Sequence, residues 1–298
     1  MSPPTSPPLP ERLLILGLGY CGSEVARQAQ TRGIHCSATR RDVQGRIDGV
    51  EVWPLGTQAP GEGVMQALAQ ADALLCTLPP DALGDPAARA LGACIEAAPR
   101  LRWLGYLSST GVYAERGGGV VDPAHPADAK APMAVQRLLA EAQWRALAQA
   151  RGIDSAVFRL AGIYGPGRNV LEALAEGSAR HVHAPGVLFN RVHVHDIARA
   201  LLASMQRPCG DALYLLADNQ PAEPCEVLAY AANISGLPLP EAIPLDDARV
   251  SPGLRRFYQS SKRIDARLSW QALGVEPRYP DFRAGLDAIW KARQTAEP

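Results

Sequence analysis

Three glycines near the start of the chain have the spacing with which a backbone can approach a phosphate group. They form Gly17-x-Gly19-x-x-Gly22, which directly follows the apolar run Arg12–Leu16 and opens a helical stretch at residues 23–31. The first glycine of such a loop permits a tight turn, the second lets a pyrophosphate approach, and the third lets helix and strand pack closely. The helix N-terminus favours the phosphate charge. The spacing therefore predicts a dinucleotide-binding loop, and a glycine turn without a ligand is the alternative.

The residues that end the second apolar run favour a phosphorylated cofactor. NAD-preferring sites usually place Asp or Glu at this point, about twenty residues after the glycines, to hold the ribose 2′-hydroxyl. Here the sequence is Thr39-Arg40-Arg41, and Asp42 comes one residue later. Two guanidinium groups suit a 2′-phosphate and offer no acceptor to a hydroxyl. We therefore predict NADP as the cofactor, with NAD as the alternative and a solvated turn as the non-binding interpretation of the arginines.

The elements that must position these residues alternate along the first half of the chain. We predict strands at residues 12–16, 34–39, 50–55, 73–78, 103–108 and 155–160. Helices are predicted at residues 23–31, 63–70, 86–98 and 134–150. Strands that alternate with helices are typical of a parallel sheet with helices on both faces, and such sheets bind ligands at the carboxyl ends of their strands.

After residue 177 the alternation becomes weaker. Two further strands, at 191–194 and 212–216, flank a helix at 196–205, and prolines interrupt the remainder. The predicted fold class is α/β, a Rossmann-type doubly wound parallel sheet with a smaller C-terminal substrate lobe. We divide the chain into a disordered tail at 1–10, an NAD(P)-binding core at 11–165, and late core strands with the substrate-binding lobe at 166–298.

Composition argues against several classes of protein. The chain has 298 residues, 47% of them hydrophobic, and its 30 basic and 30 acidic residues give a net charge of zero. This balance argues against binding to nucleic acid or to an anionic membrane. No apolar run reaches the roughly 18 residues of a membrane span, so we expect no membrane insertion. The proline-rich start lacks the basic and apolar regions of a signal peptide.

Cysteine and histidine usage suggests a reducing compartment and no metal. The six cysteines form no Cys-x-x-Cys pair, which favours reduced thiols in a cytoplasmic protein. His181/His183 and His193/His195 are spaced so that both members of a pair lie on one strand face. Neither pair has an evident third ligand, so we expect no metal site.

Four segments, in chain order, resemble the extended short-chain dehydrogenases/reductases, the NAD-dependent epimerase/dehydratase-like family. They are Ser-Ser-Thr-Gly-Val-Tyr at 108–113, Arg-Leu-Ala-Gly-Ile-Tyr-Gly-Pro-Gly at 159–167, Val-His-Val-His-Asp-Ile-Ala at 192–198, and Ser-Lys-Arg-Ile at 261–264. The resemblance extends from about residue 12 to about residue 289. It implies the fold predicted above.

The resemblance fails at the pair of residues that moves the proton in this family. The family carries a tyrosine and, four residues later, a lysine; the corresponding positions here are Met133 and Arg137. A thioether does not exchange a proton at neutral pH, and a guanidinium stays charged. Arg137 can still hydrogen-bond to the nicotinamide ribose, and Ser109 matches the serine that orients the substrate oxygen. The exchange resembles an atypical branch of the family, and packing in the core is the simplest expectation for Met133.

The resemblance also suggests roles for further positions. Tyr113, Tyr164, His193 and Lys130 are candidates for the missing proton group, and the predicted catalytic residues are Ser109 and Tyr164. The predicted substrate contacts are Arg168, Asn169, Asn190 and His193. The predicted cofactor-binding residues are Gly17, Leu18, Gly19, Tyr20, Cys21, Gly22, Thr39, Arg40, Arg41, Leu78, Pro79, Ser108, Arg137 and Leu160.

The substrate and the assembly are predicted only in outline. Phe189 and Asn190 stand where nucleotide-sugar members usually carry an Arg-Asp pair, which favours a smaller oxygenated molecule. The resemblance implies a homodimer built from the helices at 86–98 and 134–150. We therefore expect an NAD(P)-binding oxidoreductase or epimerase/dehydratase-like protein, NADP favoured, that acts on a small-molecule substrate. A non-catalytic NADP-binding redox sensor or scaffold is the alternative.

Overall fold

The computed structural model describes residues 8–56, 60–258 and 261–296. The strands are β1 (Arg12–Leu16), β2 (His35–Arg40), β3 (Gly45–Ile47), β4 (Val50–Pro54), β5 (Ala73–Cys76), β6 (Trp103–Ser109), β7 (Val120–Val121), β8 (Asp154–Leu160), β9 (Gly162–Tyr164), β10 (His181–His183), β11 (Arg191–His193), β12 (Asp211–Leu216), β13 (Ala242–Pro244) and β14 (Arg263–Ile264). The helices are α1 (Tyr20–Gln30), α2 (Glu62–Gln70), α3 (Pro86–Ala97), α4 (Pro132–Arg151), α5 (Val170–Ala175), α6 (Val194–Gln206), α7 (Pro224–Ser235), α8 (Pro252–Tyr258), α9 (Arg267–Leu273) and α10 (Phe282–Ala296). A 3₁₀ turn, Thr110–Val112, follows β6. Most of the predicted tail, residues 1–7, lies outside the described residues.

Eight strands form one sheet in the order β12-β8-β6-β5-β1-β2-β4-β3. All neighbours are parallel except β3 and β4. From β1 the chain first builds outward through β2 and β4, and then returns to build the other half from β5. This reversal lies between β1 and β5, and ligands of such sheets bind in the crevice beyond the strand ends at that point. The predicted doubly wound parallel sheet is confirmed.

The sheet is covered on both faces, as the continuous apolar strands require. In β1, Leu13 and Ile15 belong to the core under α1, α6 and α9, whereas Leu14 and Leu16 belong to the core under α2, α3 and α4. Successive side chains of a strand point to opposite faces, so one short apolar run serves both cores. Among the described helices, none is long and apolar enough to cross a membrane.

The C-terminal part of the chain builds a separate lobe and also completes the sheet. A third core joins α5, α7 and α10, and a smaller fourth core lies around β10, β13 and Tyr258. Three two-stranded parallel ribbons, β9–β11, β10–β13 and β7–β14, connect distant segments. α9 returns to the main sheet, where Trp270 Nε1 donates to the Ala217 carbonyl at 3.0 Å. The segment predicted at 166–298 therefore serves both the lobe and the sheet.

Candidate functional site

The glycine loop lies at the carboxyl end of β1, where its shape is held by neighbouring strands. Gly17 has a φ of +101°, and a Cβ there would come within 2.7 Å of Thr77 Oγ1. Gly17 N donates to Thr39 Oγ1 at 3.1 Å, and Leu18 N donates to the Thr39 carbonyl at 2.7 Å. Thr39 is buried, so its side chain and carbonyl fix the backbone of the glycine loop. The structure therefore shows Thr39 in contact with the loop.

The N-terminus of α1 faces open space at this loop. A Cβ placed at Gly19 would meet no atom within 4 Å, so the space beside its backbone is free. Among the described residues no side chain caps α1, and its first turn holds no acidic residue. Unbonded amide groups and the helix dipole favour an anion at such an end. The loop therefore fits the pyrophosphate of a dinucleotide.

The two arginines end β2 on the same side of the sheet. Arg40 and Arg41 are exposed, and Asp42 follows with a φ of +54°. Arg40 pairs in register with Pro54 of β4, and its carbonyl accepts a hydrogen bond from Leu55 N at 3.3 Å. Both guanidinium groups are thus accessible beyond the second strand, where the adenosine ribose lies in this kind of sheet.

Ser109 ends β6 on the opposite side of the crevice. It is half-buried, and its Oγ accepts a hydrogen bond from Gly111 N at 3.0 Å, which leaves the hydroxyl hydrogen free to donate. Leu160, at the end of β8, is buried, and its carbonyl accepts from Thr110 Oγ1 at 3.2 Å. The turn that carries Ser109 is therefore fixed by its neighbours.

A buried ion pair lies beneath this serine. Glu141 Oε2 accepts from Arg159 Nη2 at 2.7 Å, and Glu141 Oε1 accepts from Ser108 Oγ at 2.5 Å. Arg159 Nη1 donates to Tyr113 Oη at 2.7 Å. Tyr113 is buried within this network, which argues against its candidacy as a proton donor. The pair was not predicted from the sequence, although Glu141 follows Arg137 by four residues on one helix face.

α4 brings Met133 and Arg137 alongside β6. Met133 is 79% exposed in the first turn of the helix, so the expectation that it packs in the core is wrong. Its neighbour Ala134 takes the buried position instead. Arg137 Nη1 donates to the Leu107 carbonyl at 2.9 Å and to Tyr106 Oη at 3.2 Å. The guanidinium is half-buried and keeps other N–H donors for a ligand.

Comparisons with known proteins agree with this geometry. The model of the NAD dependent epimerase/dehydratase family matches residues 86–214. A solved structure from Silicibacter pomeroyi, described as a functionally unknown conserved protein, is 38% identical, with 95% of this chain and 99% of that chain covered and a TM-score of 0.84. This chain belongs to the NAD-dependent epimerase/dehydratase family. Comparison with curated proteins gave no match.

More distant solved structures share the fold. MoeE5 in complex with UDP-glucuronic acid and NAD is 22% identical, covers 95% of this chain and 99% of its own, and has a TM-score of 0.76. The dTDP-glucose 4,6-dehydratase from Bacillus anthracis, in complex with NAD, is 15% identical. The match covers 96% of this chain and 97% of the dehydratase, with a TM-score of 0.76. At these identities the likeness concerns the fold alone.

Within this epimerase/dehydratase fold, two candidates for proton transfer are buried. Tyr164 Oη donates to the Asp281 carbonyl at 3.3 Å, and burial raises the pKa of Tyr164 far above its usual value. Burial lowers the pKa of His193 to about 4, and its Nδ1 accepts from His195 N at 3.1 Å. Their rings pack edge to face at 5.1 Å. These contacts argue against Tyr164 as an acid and against His193 as a substrate contact.

Both amide side chains among the predicted substrate contacts are also engaged in the fold. Asn169 caps α5 by accepting from Leu171 N and Glu172 N at 2.9 and 3.2 Å. Asn190 donates to the Lys262 carbonyl and accepts from Ile264 N, both at 2.7 Å. Such side chains hold the lobe in place and have little capacity left for a substrate.

Three further predicted residues lie in loops. Leu78 is half-buried beside Gly17, and Pro79 is exposed after it. Lys130 is exposed in the loop before α4. Thr77 was not predicted from the sequence, although its Oγ1 donates to the Gly17 carbonyl at 2.7 Å. Its position directly after β5 could have indicated this contact, since the carboxyl ends of parallel strands meet at this edge of the sheet.

Proposed function

We propose that this family member is an NADP-dependent oxidoreductase or epimerase/dehydratase-like enzyme that acts on a small oxygenated substrate. The observation that carries the proposal is the open space beside Gly19 at an uncapped helix N-terminus. The accessible Arg40 beyond β2 favours the 2′-phosphate of NADP over the hydroxyl of NAD. The cofactor would supply hydride transfer when bound.

The chain's own residues would prepare the crevice for this chemistry. Arg137, fixed by the Leu107 carbonyl, would donate to the nicotinamide ribose. Ser109 would orient a substrate oxygen through its free hydroxyl hydrogen. A cytoplasmic homodimer belongs to the same proposal, supported by the exposed apolar side chains Val135 and Leu139 on α4.

Cofactor titration tests the proposal directly. We expect NADPH to bind more tightly than NADH in calorimetric or fluorescence titrations. Arg40→Ala should cost about 1–3 kcal/mol for NADPH, the range of a charge-assisted hydrogen bond, and should change NADH binding little. Arg102→Ala removes an exposed cation at the amino end of β6 and is the matched control. Equal losses for both cofactors in Arg40→Ala would contradict the NADP assignment.

A non-catalytic NADP-binding redox sensor or scaffold is the second candidate. It is favoured by Met133, which stands where the family carries its tyrosine, and by the buried positions of Tyr164 and His193. NADPH absorbance followed against a panel of simple carbonyl compounds separates the two candidates. Turnover above the rate without protein supports the enzyme, whereas tight NADPH binding without turnover across the panel supports the sensor.

A further inference from the structure

The loop after β9 reaches back to the glycine loop. Tyr20, the first residue of α1, donates its hydroxyl hydrogen to the Pro166 carbonyl at 3.1 Å. A Cβ at Gly165 would lie 2.6 Å from Tyr20 Oη, so this close approach requires glycine. The two loops are 146 residues apart in sequence but in contact in the fold.

The turn at residues 165–168 has a fixed shape. Gly165 N donates to the Arg168 carbonyl at 3.0 Å, and Arg168 N donates to the Gly165 carbonyl at 3.1 Å. Asn169 Nδ2 donates to the same Gly165 carbonyl at 2.9 Å while its oxygen caps α5. Because backbone and cap are both bonded, the turn fixes the point from which the exposed Arg168 side chain extends.

Arg168 points toward the beginning of α1. Its guanidinium carbon lies 5.6 Å from the centre of the Tyr20 ring. Burial raises the pKa of Cys21 to about 11, and the positive charge of Arg168 opposes this shift, which places that charge beside the first turn of the helix. Within the described residues, the Arg168 guanidinium has neither a salt bridge nor a hydrogen-bond acceptor.

The glycine loop itself carries no positively charged side chain. Residues 17–22 include no lysine or arginine, so the loop offers only amide groups and the helix dipole, which is equivalent to about half a unit charge. A dinucleotide pyrophosphate carries two negative charges. An arginine beside the loop, with no acceptor among the described residues, can supply bidentate hydrogen bonds to phosphate oxygens and balance part of this charge.

We propose that Arg168 binds the cofactor's pyrophosphate at the N-terminus of α1, and so acts as a cofactor residue instead of the substrate contact expected from the sequence. This inference rests on the proposed function. It assigns two of the cations at the crevice to different parts of one ligand: Arg40 to the 2′-phosphate and Arg168 to the pyrophosphate.

Four ligands separate these roles in binding titrations without substrate: NADPH, NADH, ADP-ribose and adenosine 2′-monophosphate. Arg168→Ala should weaken NADPH, NADH and ADP-ribose alike by about tenfold, which is about 1.4 kcal/mol. It should leave adenosine 2′-monophosphate, which has no pyrophosphate, unchanged. Arg40→Ala should give the complementary result, with losses for NADPH and adenosine 2′-monophosphate alone. Arg168→Lys should lose about threefold, since lysine keeps the charge without the planar fork.

The controls keep the outcomes distinct. Arg102→Ala should change no affinity, which excludes a general effect of net charge. If the unaltered protein binds neither cofactor, the proposed function fails and this inference fails with it. If the unaltered protein binds both cofactors, and Arg168→Ala binds each of the four ligands as tightly as the unaltered protein does, only this inference is overturned.

Discussion

Replacing Glu141 by Gln should strongly destabilise the protein, because it would leave the Arg159 charge buried without its counter-charge. The side chains of Arg159 and Glu141 are only 6% and 2% exposed. The Glu141 carboxylate accepts hydrogen bonds from Arg159 Nε and Nη2 and from Ser108 Oγ. Breaking a buried pair of this kind by changing one partner typically costs about 3–5 kcal/mol.

This cost translates into a measurable change in Tm. The unfolding entropy near 60 °C is about 2.1 cal/mol/K per residue, which gives about 0.6 kcal/mol/K for a chain of this length. Glu141→Gln should therefore lower Tm by about 5–8 °C in calorimetry at pH 7. The surface pair between Arg46 and Glu51, 3.3 Å apart with side chains 64% and 40% exposed, supplies the control. Glu51→Gln should change Tm by less than about 2 °C, since exposed pairs contribute at most about 1 kcal/mol.

A double-mutant cycle distinguishes the pair from each residue's own packing. Arg159→Met alone should also be costly, because it leaves Glu141 charged and partly unpaired. Glu141→Leu combined with Arg159→Met removes both charges, and its loss should be clearly smaller than the sum of the two single losses. A Glu141→Gln variant that melts within 2 °C of the unaltered protein, or strictly additive losses in the cycle, would refute the assignment of a coupled buried pair.

Three further predictions concern catalysis, pH and assembly. Met133→Tyr with Arg137→Lys should raise NADPH-dependent turnover of simple carbonyls, since general acid catalysis is typically worth about 10²–10⁴-fold. The exposure of Met133 allows the larger ring, and cofactor affinity should stay within a few-fold; loss of an existing activity would instead show that the proton comes from another group. Burial raises the pKa of Asp218 to about 8, above its unfolded value, so its contribution to stability is complete only below about pH 4 and is lost as pH rises from there through about 8. Asp218→Asn should remove this dependence, and a Tm difference from the unaltered protein that stays constant between pH 5 and pH 8 would contradict it. Light scattering at micromolar concentration should give twice the chain mass, and Leu139→Arg, on the exposed face of α4, should give the single-chain mass; a monomeric unaltered protein would exclude the dimer.

The main sheet was predictable because its strands are buried on both faces and therefore appear as continuous apolar runs. The prediction at 12–16 matches β1, and the predicted start of β12 differs from the structure by one residue. β7 and β14 have two residues each and pair across more than 140 positions, so no local pattern could reveal them. The prediction therefore succeeded for strands whose burial produces a continuous apolar run in the sequence, and it failed for strands too short to show one.

The site was less predictable, since its chemistry depends on contacts between distant segments. The loop at Gly17, Gly19 and Gly22 was predictable because a tight turn and a close approach to its backbone both require glycine. The loop has the expected shape. No feature of the neighbouring sequence shows that the Asn190 side chain is hydrogen-bonded to residues 72 and 74 positions away. Met133 was misjudged because a first-turn residue has no preceding turn against which to pack. The catalytic and cofactor assignments remain predictions that the experiments above test.

The return of α9 to the main sheet sets a limit on folding during synthesis. Ile264, Ala266, Trp270 and Leu273 belong to the same core as β1, and Ser269 Oγ accepts a hydrogen bond from Leu215 N at 2.8 Å. The part of the sheet that carries the glycine loop therefore lacks part of its core until residue 273 has left the ribosome. Domains commonly fold in order from the N-terminus as they emerge. Here one face of the sheet stays partly uncovered until residues 264–273 emerge, so early strands such as β1 depend on a late segment of the chain for their burial.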